Sequence, residues 1–365
     1  MKFRLHLVGG ARPNFMKIGP LYHALKDEPW CDVRIIHTGQ HYDREMSDGF
    51  FEDLNLPKPH RSLGVGSGSA TEQIARIMLA YDPVCAEEKP DLVVVVGDVN
   101  STLACALTAK KQGRKVAHLE AGLRSRDLTM PEELNRILTD QLADLLWTPS
   151  LDADENLRQE GIPASRIQRV GNIMIDSFEM LRERIAKEPL PNSIRDLKSP
   201  SGFGVVTLHR PANVDDEGRL REILTKFAQL SETLPLVFPV HPRTRKNLVE
   251  FGLWSELESN RGFHLLPPAS YIAFMRLVSE AKLVVTDSGG IQEETSYLGI
   301  PCLTLRDNTE RPITITEGTN RLVKPAELCE VALACLDHRN FPTKPISLWD
   351  GKTALRIRDL LRAGQ

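Results

Sequence analysis

The order of short apolar runs and longer amphipathic stretches constrains the fold of this chain more than any other feature. Stretches with helical periodicity, such as residues 15–26, 71–88 and 101–112, separate the apolar runs. Chains with this alternation form parallel sheets that are covered by helices on both faces. The sequence therefore predicts a doubly wound α/β fold. The apolar runs with the length and composition of buried strands are 3–8, 33–37, 92–96, 116–119, 145–147, 204–208, 236–240, 263–266, 283–286 and 302–305.

The alternation begins twice, which predicts two domains. Residues 187–202 separate the two series and contain three prolines with little apolar periodicity. A length of 365 residues also exceeds that of one typical domain. In sheets of this kind ligands bind at the carboxyl ends of the strands. The residues that directly follow each strand are therefore the candidates for a site.

The clearest candidate is a glycine turn that follows the run 283–286. Asp287-Ser288-Gly289-Gly290 leads into a helix that we expect to end at Gly299. The free N–H groups and positive dipole end of such a helix suit a diphosphate. Glu294, one turn further on, is placed to accept both hydroxyls of a ribose. The motif predicts a nucleotide site with a sugar nucleotide as the natural ligand; the alternative is a glycine pair that serves packing alone.

Two cations follow the first strand at the start of the next helix. Arg12 and Lys17 come directly after the turn Gly9-Gly10. Cations beside a helix N-terminus are unfavourable unless an anion lies there as well, so both are candidate phosphate ligands. The alternative is an exposed arginine and a lysine on the helix surface. The turn lacks the G-x-G-x-x-G pattern of nicotinamide-binding folds, and the sequence predicts no cofactor.

Two acidic residues follow strands of the first series. Asp98 comes after the run 92–96, where it serves either as a helix cap or as a catalytic acid. Glu120 stands at the end of the run 116–119, and burial of a carboxylate is costly unless it is paired. The structural interpretation of Glu120 is an ion pair with Arg124 or Arg126.

A third acidic residue and a His-Arg pair complete the candidates. Thr129 and Glu132 fit a capping box at a helix start, which explains the glutamate without chemistry. His209 and Arg210 directly follow the run 204–208, a position that favours phosphate binding or acid–base work over packing. Carboxylates that face a nucleotide sugar suit removal of a weakly acidic C–H proton with a diphosphate as leaving group.

Composition excludes several other classes of protein. The formal charge of −3 gives no sign of a nucleic-acid or anionic-membrane surface, and the one basic cluster, at residues 241–246, is short. Six cysteines include no C-x-x-C pair and no zinc-type spacing, so we expect free thiols in a reducing compartment and no metal. The first residues run straight into a strand pattern, and no apolar run is long enough to span a membrane. We expect a soluble cytoplasmic protein.

Taken in chain order, these residues resemble the non-hydrolysing UDP-N-acetylglucosamine 2-epimerase family. The resemblance implies a GT-B fold of two Rossmann-like domains, here at residues 1–172 and 173–351, with a C-terminal helix at 352–365 that packs back on the first domain. It also implies a cytosolic homodimer that needs no metal or nicotinamide and serves polysaccharide biosynthesis. The matching motifs are Arg12-Pro13 with Lys17, Thr38-Gly39-Gln40-His41, Gly97-Asp98, Glu120-Ala121-Gly122-Leu123-Arg124, Pro131-Glu132-Glu133-Leu134-Asn135-Arg136, His209-Arg210, Asp287-Ser288-Gly289-Gly290-Ile291-Gln292-Glu293-Glu294 and Glu310-Arg311-Pro312.

The implied reaction is reversible inversion at C2 of UDP-GlcNAc to give UDP-ManNAc. A base removes the C2 proton while UDP leaves C1, and UDP then re-adds to the 2-acetamidoglucal with protonation of C2 from the opposite face. The resemblance implies catalytic roles for Asp98, Glu120, Glu132 and His209, without assigning an acid to each face. The residues that it implies for UDP and substrate binding are Arg12, Lys17, Arg210, His241, Ser288, Gly289, Gly290, Glu294 and Arg311.

Two departures from the family pattern leave alternatives open. Pro211-Ala212 stands where well-studied bacterial members carry Arg-Glu, and Asp43 stands where they carry Gln. In those enzymes these regions help to form a second UDP-GlcNAc site that activates turnover, for which Gln40 and His41 are the candidates here. The alternatives are a 2-epimerase of a modified UDP-sugar such as a 2,3-diacetamido uronic acid, a hydrolysing epimerase, a GT-B glycosyltransferase, and a nucleotide-sugar sensor.

Overall fold

The computed structural model describes residues 2–39, 51–195, 197, 202–337 and 345–364. The chain divides into two compact units. The first consists of Met1–Met180 together with Ser347–Gln365, and the second is Leu181–Ile346. Each unit contains one parallel sheet, and each is described by itself below.

The sheet of the first unit has seven parallel strands in the order β3-β2-β1-β4-β5-β6-β7. The order reverses between β1 and β4, so the loops after these two strands diverge and leave a crevice at the carboxyl edge of the sheet. The strand β4 is buried along its whole length because helices cover both faces. The strands are β1 (Phe3–Gly9), β2 (Cys31–His37), β3 (Arg61–Ser62), β4 (Leu92–Val96), β5 (Lys115–Leu119), β6 (Leu145–Thr148) and β7 (Ile167–Arg169).

Helices alternate with these strands, as the sequence pattern predicts. Ser69 caps the second helix through a capping box with Glu72, and the buried positions Gln73, Ile77 and Tyr81 recur at helical spacing. Numbered in chain order, the helices of this unit are α1 (Arg12–Leu25), α2 (Ala70–Glu88), α3 (Asn100–Lys111), α4 (Pro131–Leu142), α5 (Leu151–Gln159), α6 (Ile173–Lys187), which continues past the unit boundary, and α16 (Thr353–Ala363).

The C-terminal helix α16 is fastened to the first unit by a buried carboxylate. Asp176 accepts hydrogen bonds from the backbone N–H groups of Thr353 (3.1 Å) and Ala354 (2.8 Å) at the start of α16. Just before it, the indole N–H of Trp349 donates to the carbonyl of Pro149 at 3.0 Å. At the other end of the helix, Arg362 pairs with Glu28. Residues far apart in sequence thus complete one unit.

The sheet of the second unit has six parallel strands in the order β10-β9-β8-β11-β12-β13, and its reversal lies between β8 and β11. The strands are β8 (Gly204–Thr207), β9 (Leu236–Pro239), β10 (Phe263–Leu266), β11 (Leu283–Thr286), β12 (Cys302–Thr304) and β13 (Asn320–Leu322). The helices are α7 (Asn192–Arg195), α8 (Pro211–Val214), α9 (Glu217–Ser231), α10 (Pro242–Glu250), α11 (Trp254–Ser259), α12 (Tyr271–Glu280), α13 (Gly289–Leu298), α14 (Ile313–Thr316) and α15 (Leu328–Asp337).

The predicted doubly wound parallel sheets are confirmed, with differences in the short elements. The strands β3, β7 and β13 were not predicted, because two or three residues are too few to show an apolar run. The stretch 187–202 was predicted to be a connection, but α6 reaches Lys187 and α7 lies within it. No helix in the described residues is long and apolar enough to cross a membrane.

Candidate functional site

A buried ion pair lies at the carboxyl edge of the first sheet, beside the reversal of strand order. The ammonium group of Lys17, from α1, donates to the Oε2 atom of Glu120, which follows β5. The two side chains are 10% and 3% exposed. The structural interpretation of Glu120, an ion pair with Arg124 or Arg126, is therefore wrong. Arg124 instead donates to Glu160 and pairs with Asp140.

Glu120 is held in a strained conformation with one oxygen free. Its φ of 70° lies in the left-handed region, which costs a non-glycine residue about 1–3 kcal/mol. The backbone N–H of Glu120 donates to the carbonyl of Trp147 at 3.1 Å, which helps to fix the turn. The Oε1 atom is buried and has no hydrogen-bond partner in the described part of the chain. A carboxylate with a free, desolvated oxygen and a fixed position is suited to proton transfer.

Asp98 follows β4 and faces the first helix turns of α4 rather than capping a helix. The N-cap of α3 is Val99, which makes no side-chain cap, so the capping interpretation of Asp98 was wrong. Arg136 donates to the Oδ2 atom of Asp98, and the amide of Asn135 donates to its carbonyl at 2.9 Å. The Asp98 side chain is 32% exposed, so it is accessible while being oriented by a cation.

Glu132 and its neighbour Glu133 have opposite environments. The predicted capping box is wrong, because Met130 is the N-cap of α4 and Thr129 bonds to Asp127 instead. Glu133 is the structural acid: its carboxylate accepts the N–H groups of the two residues at 125 and 126 at 3.0 and 2.9 Å. Burial by itself raises the pKa of Glu133, but these hydrogen bonds and Arg136 lower it by more, so the net pKa lies below the usual range.

Glu132 by contrast is exposed on the first turn of α4. Residues three and four positions apart share a helix face, so Glu132 lies on the same face as Asn135 and Arg136, the two residues that contact Asp98. With the capping explanation removed, the Glu132 side chain has no hydrogen bond or ion pair among the described residues and lies on the side of α4 that faces Asp98.

A second buried network lies behind these acids and was not identified from the sequence. The ring of His118 contacts the Gly97 carbonyl through Nε2 (2.8 Å) and the Asp140 carboxylate through Nδ1 (2.6 Å). Burial raises the pKa of Asp140, while His118 and Arg124 lower it, and the net pKa is below its usual value. The network ties the loop before Asp98 to α4. The signal in the sequence is a histidine within the apolar strand 115–119.

In the second unit, His209 and Arg210 lie at the carboxyl edge of the sheet, next to its reversal. Both follow β8, and Asp287 follows the adjacent strand β11. The Oδ1 atom of Asp287 is 2.9 Å from Nδ1 of His209, and Oδ2 accepts the N–H of Arg210 at 2.9 Å. The guanidinium of Arg210 donates back to the carbonyl of Asp287 at 3.1 Å. Asp287 was read as part of the glycine turn and was not among the predicted site residues.

The glycine turn opens α13 as predicted, and its surroundings are charged. Ser288 is the N-cap without a side-chain cap, and the helix ends at Gly299 in the left-handed conformation. Arg311 reaches this turn and pairs with Glu310 (2.8 Å) and Glu293 (2.9 Å). A methyl group on Gly289 would lie 2.7 Å from the Glu310 carboxylate and 2.9 Å from the Arg311 guanidinium, so it would displace the ends of these two side chains. At Gly290 the same position is open.

Glu294 lies buried one turn into α13 and accepts a hydrogen bond from the hydroxyl of Tyr271 at 2.6 Å. Burial raises the pKa of this carboxyl group to about 7, against the lowering effect of the Tyr271 hydrogen bond. The group therefore changes charge near neutral pH.

His241 follows β9 and caps α10, with its Nδ1 atom accepting the N–H of Arg243 at 3.2 Å. Its ring lies 5.5 Å from that of His209 between centroids. Burial, and then His209, lower the pKa of His241. The Arg12 side chain and the whole of Gln40 and His41 lie outside the described residues.

The structure thus brings the predicted residues together in two groups, one for each sheet. Both groups lie at the carboxyl edge, where the strand order reverses. The first group contains Lys17, Asp98, Glu120 and Glu132, and the second contains His209, Arg210, His241, Ser288, Gly289, Gly290, Glu294 and Arg311.

A family model described as UDP-N-acetylglucosamine 2-epimerase matches residues 23–362. The chain belongs to this family. The UDP-N-acetylglucosamine 2-epimerase of Methanocaldococcus jannaschii is 40% identical over 367 residues, which are 99% of this chain and 100% of that protein. The UDP-2,3-diacetamido-2,3-dideoxy-D-glucuronate 2-epimerase of Pseudomonas aeruginosa is 41% identical over 320 residues, which are 87% of each.

The fold agrees with solved members of the family. The crystal structure of the Methanocaldococcus jannaschii enzyme in complex with UDP-GlcNAc and UDP has a TM-score of 0.88 and 40% identity to this family member. The structural alignment covers 99% of this chain and 100% of the Methanocaldococcus jannaschii chain. The GT-B-like fold predicted from the resemblance is confirmed.

Proposed function

We propose that this family member interconverts UDP-GlcNAc and UDP-ManNAc by elimination and re-addition of UDP. A base takes the C2 proton as the C1–O bond breaks, which gives UDP and 2-acetamidoglucal. The C1–O bond then re-forms while a proton is added to the opposite face of C2. The observation that supports this most is the buried Glu120 carboxylate, strained, paired with Lys17 and with one oxygen free.

We assign the proton transfers to the acids of the first group. Inversion at C2 requires a proton donor or acceptor on each face, so at least two of Asp98, Glu120 and Glu132 must act. Positioned acid–base groups contribute about 10²–10⁴-fold each. Glu120 and Glu132 differ as such a pair would, since one is buried beside a cation and the other is exposed.

We assign the UDP moiety to the second group, with Arg12 and Lys17 as further phosphate ligands. The open N-terminus of α13 at Ser288, Gly289 and Gly290 suits the diphosphate, and Arg311 adds charge there. Glu294 is placed one turn away for the ribose hydroxyls. Arg210 and His241 border the same edge of the sheet. These cations stabilise UDP as it leaves, which lowers the barrier to elimination.

The charge state of Glu294 gives a testable pH dependence. Its pKa of about 7 means that it is mostly protonated at about pH 6 and ionised at about pH 8. Two ribose hydroxyls donate to the ionised form, so we expect the affinity for UDP-GlcNAc to rise about tenfold between these pH values, with proton release on binding at the lower one. Calorimetry in buffers of different ionisation enthalpy measures both.

The control for this prediction is Glu294→Gln, which should bind more weakly and lose the rise with pH. Protonation of His241 favours an anion at low pH, so its effect on affinity has the opposite sign and remains visible in this variant. UDP-GlcNAc is used because its diphosphate has no secondary ionisation in this range. An affinity that falls from pH 6 to pH 8 in the unchanged protein would contradict the ribose assignment.

A modified UDP-sugar is the second candidate substrate. The similarity to the Pseudomonas aeruginosa UDP-2,3-diacetamido-2,3-dideoxy-D-glucuronate 2-epimerase supports this candidate. That relative is 41% identical, against 40% for the UDP-GlcNAc enzyme of Methanocaldococcus jannaschii. The identities therefore do not separate the two substrates.

Proton NMR of the protein with UDP-GlcNAc in D₂O, without an acceptor, tests the proposal. Deuterium at C2 together with UDP-ManNAc establishes elimination and re-addition. Free ManNAc with UDP would show a hydrolysing epimerase instead. If C2 does not exchange, the same test with a UDP-2,3-diacetamido uronic acid separates the second candidate from a glycosyltransferase or a sensor.

The proposal extends to the setting of the enzyme. We propose a homodimer that acts in the cytoplasm, supplies polysaccharide biosynthesis and binds neither nucleic acid nor membrane. Elimination and re-addition transfer a proton and UDP but no hydride, so the proposed reaction needs no nicotinamide, and we propose no metal. The substitution of Pro211-Ala212 for Arg-Glu predicts a hyperbolic dependence of rate on UDP-GlcNAc, without activation through Gln40 and His41.

A further inference from the structure

We propose that Asp287 is a positioning residue that fixes the orientation and tautomer of His209. The inference deepens the proposed function, because His209 is assigned there to the UDP-sugar. It makes Asp287 part of the catalytic apparatus, although its carboxylate faces the protein and not the substrate.

The Asp287 carboxylate is buried and contacts the short segment that begins at His209. Asp287 is 0% exposed and lies at the end of β11. The N–H of His209 is 3.2 and 3.1 Å from its two oxygens, and the N–H of Arg210 is 2.9 Å from Oδ2. The imidazole Nδ1 of His209 lies 2.9 Å from Oδ1. Both the backbone and the ring of His209 are therefore held by the same side chain.

The chemistry of these atoms fixes the proton on the ring. An ionised carboxylate only accepts hydrogen bonds, so the Nδ1 atom of His209 must be the donor. Burial raises the pKa of Asp287, but His209 and the backbone N–H groups lower it more, and the net pKa is below the usual value. The Nε2 atom, on the opposite side of the ring, then remains available, and the His209 side chain is 37% exposed. The ring can therefore present an unprotonated Nε2, which accepts a hydrogen bond or proton from a hydroxyl group of the UDP-sugar, in a single orientation.

A purely structural role for Asp287 is the competing explanation, because a buried carboxylate that accepts backbone N–H groups also stabilises a turn. Asp287→Asn separates the two. The asparagine oxygen still accepts the backbone N–H groups, but its amide then faces Nδ1 as a donor. The Nδ1 atom must become the acceptor, and the proton moves to Nε2.

The experiment combines ¹⁵N NMR of ring-labelled histidine with turnover and UDP affinity. His209→Gln identifies the His209 signals. We expect an Nδ1–H tautomer in the unchanged protein and an Nε2–H tautomer in Asp287→Asn, with kcat about 10²–10³-fold lower and the Kd for UDP within about threefold. The double variant, which combines Asp287→Asn with His209→Gln, should be no slower than His209→Gln alone, since Asp287 acts through His209.

Asp176→Asn is the matched control, because Asp176 is also buried and also accepts two backbone N–H groups, but contacts no histidine among the residues that the structure describes. It should leave kcat nearly unchanged. Independent losses in the double variant, an unchanged tautomer in Asp287→Asn, or an equal loss of UDP affinity would each overturn the proposal. If no UDP-sugar is turned over, the proposed function fails, while the tautomer in Asp287→Asn still decides the role of Asp287.

Discussion

Glu120→Gln is expected to abolish deuterium exchange at C2 and to lower turnover by at least about 10³-fold. Glutamine has nearly the same shape, and its amide oxygen still accepts the hydrogen bond that Lys17 donates to Oε2. It cannot take up a proton at the free oxygen position. The Kd for UDP should stay within about threefold, because most of the proposed UDP ligands follow strands of the second sheet. Exchange by NMR in D₂O and binding by calorimetry measure the two effects separately.

Glu28→Gln is the matched control for the loss of a paired glutamate. Glu28 lies just before β2, at the opposite edge of the first sheet, and pairs with Arg358 and Arg362. Exchange at C2 should be unchanged in this variant. Glu132→Gln should also stop exchange if it serves the other face. Persistence of exchange in both Glu120→Gln and Glu132→Gln would show that the acid–base assignment is wrong.

Gly122→Ala is expected to have the largest effect on stability, with a loss of more than about 4 kcal/mol in the free energy of unfolding. Gly122 has φ of 82°, and a methyl group there would lie 2.4 Å from the carbonyl oxygen of Ala153 in α5. That oxygen belongs to the backbone and cannot turn away. Gly122 also receives a hydrogen bond from Asn156 and donates one to Asp140, so the turn cannot shift without losing both.

Gly161→Ala isolates the part of this effect that comes from the backbone conformation. Gly161 has φ of 80°, but no atom lies within 4 Å of the added methyl group. The Gly161→Ala variant should lose only about 1–2 kcal/mol in the free energy of unfolding. Urea unfolding followed by tryptophan fluorescence reports chiefly on the first unit, which contains Trp30, Trp147 and Trp349, whereas the fourth tryptophan, Trp254, lies in the second unit. Equal losses in the two variants would mean that the contact with Ala153 does not limit the turn.

The alternation of elements could be predicted from sequence, because a buried strand needs a continuous apolar run and a covering helix needs apolar residues at helical spacing along one face. The run 92–96 predicts β4 with its observed bounds, Leu92–Val96. The glycine turn at 288–290 was predictable for a different reason, since a Gly-Gly pair between an apolar run and a helical stretch is visible in the sequence itself. The domain boundaries, and the roles of the site residues, remain predictions.

The partners of the site residues could not be predicted, because they depend on contacts between distant segments. Lys17 and Glu120 are 103 positions apart, and they meet only because β1 and β5 flank β4 in the sheet. Sequence proximity suggested Arg124 or Arg126 instead. The same limit explains why Asp287 was seen as a turn residue: its contact with His209 joins positions 78 apart.

The placement of α16 affects the order in which the two units can fold during synthesis. Residues 347–365 belong to the first unit, although the whole of the second unit, residues 181–346, is synthesised before them. On the ribosome, the sheet of the second unit can form first, while the sheet that carries Glu120 still lacks the helix held by Asp176. A nascent chain released before α16 would keep a foldable second unit and an incomplete first one. Under the proposed function, proton transfer at C2 requires chains translated through α16, whereas the proposed nucleotide binding by the second unit does not.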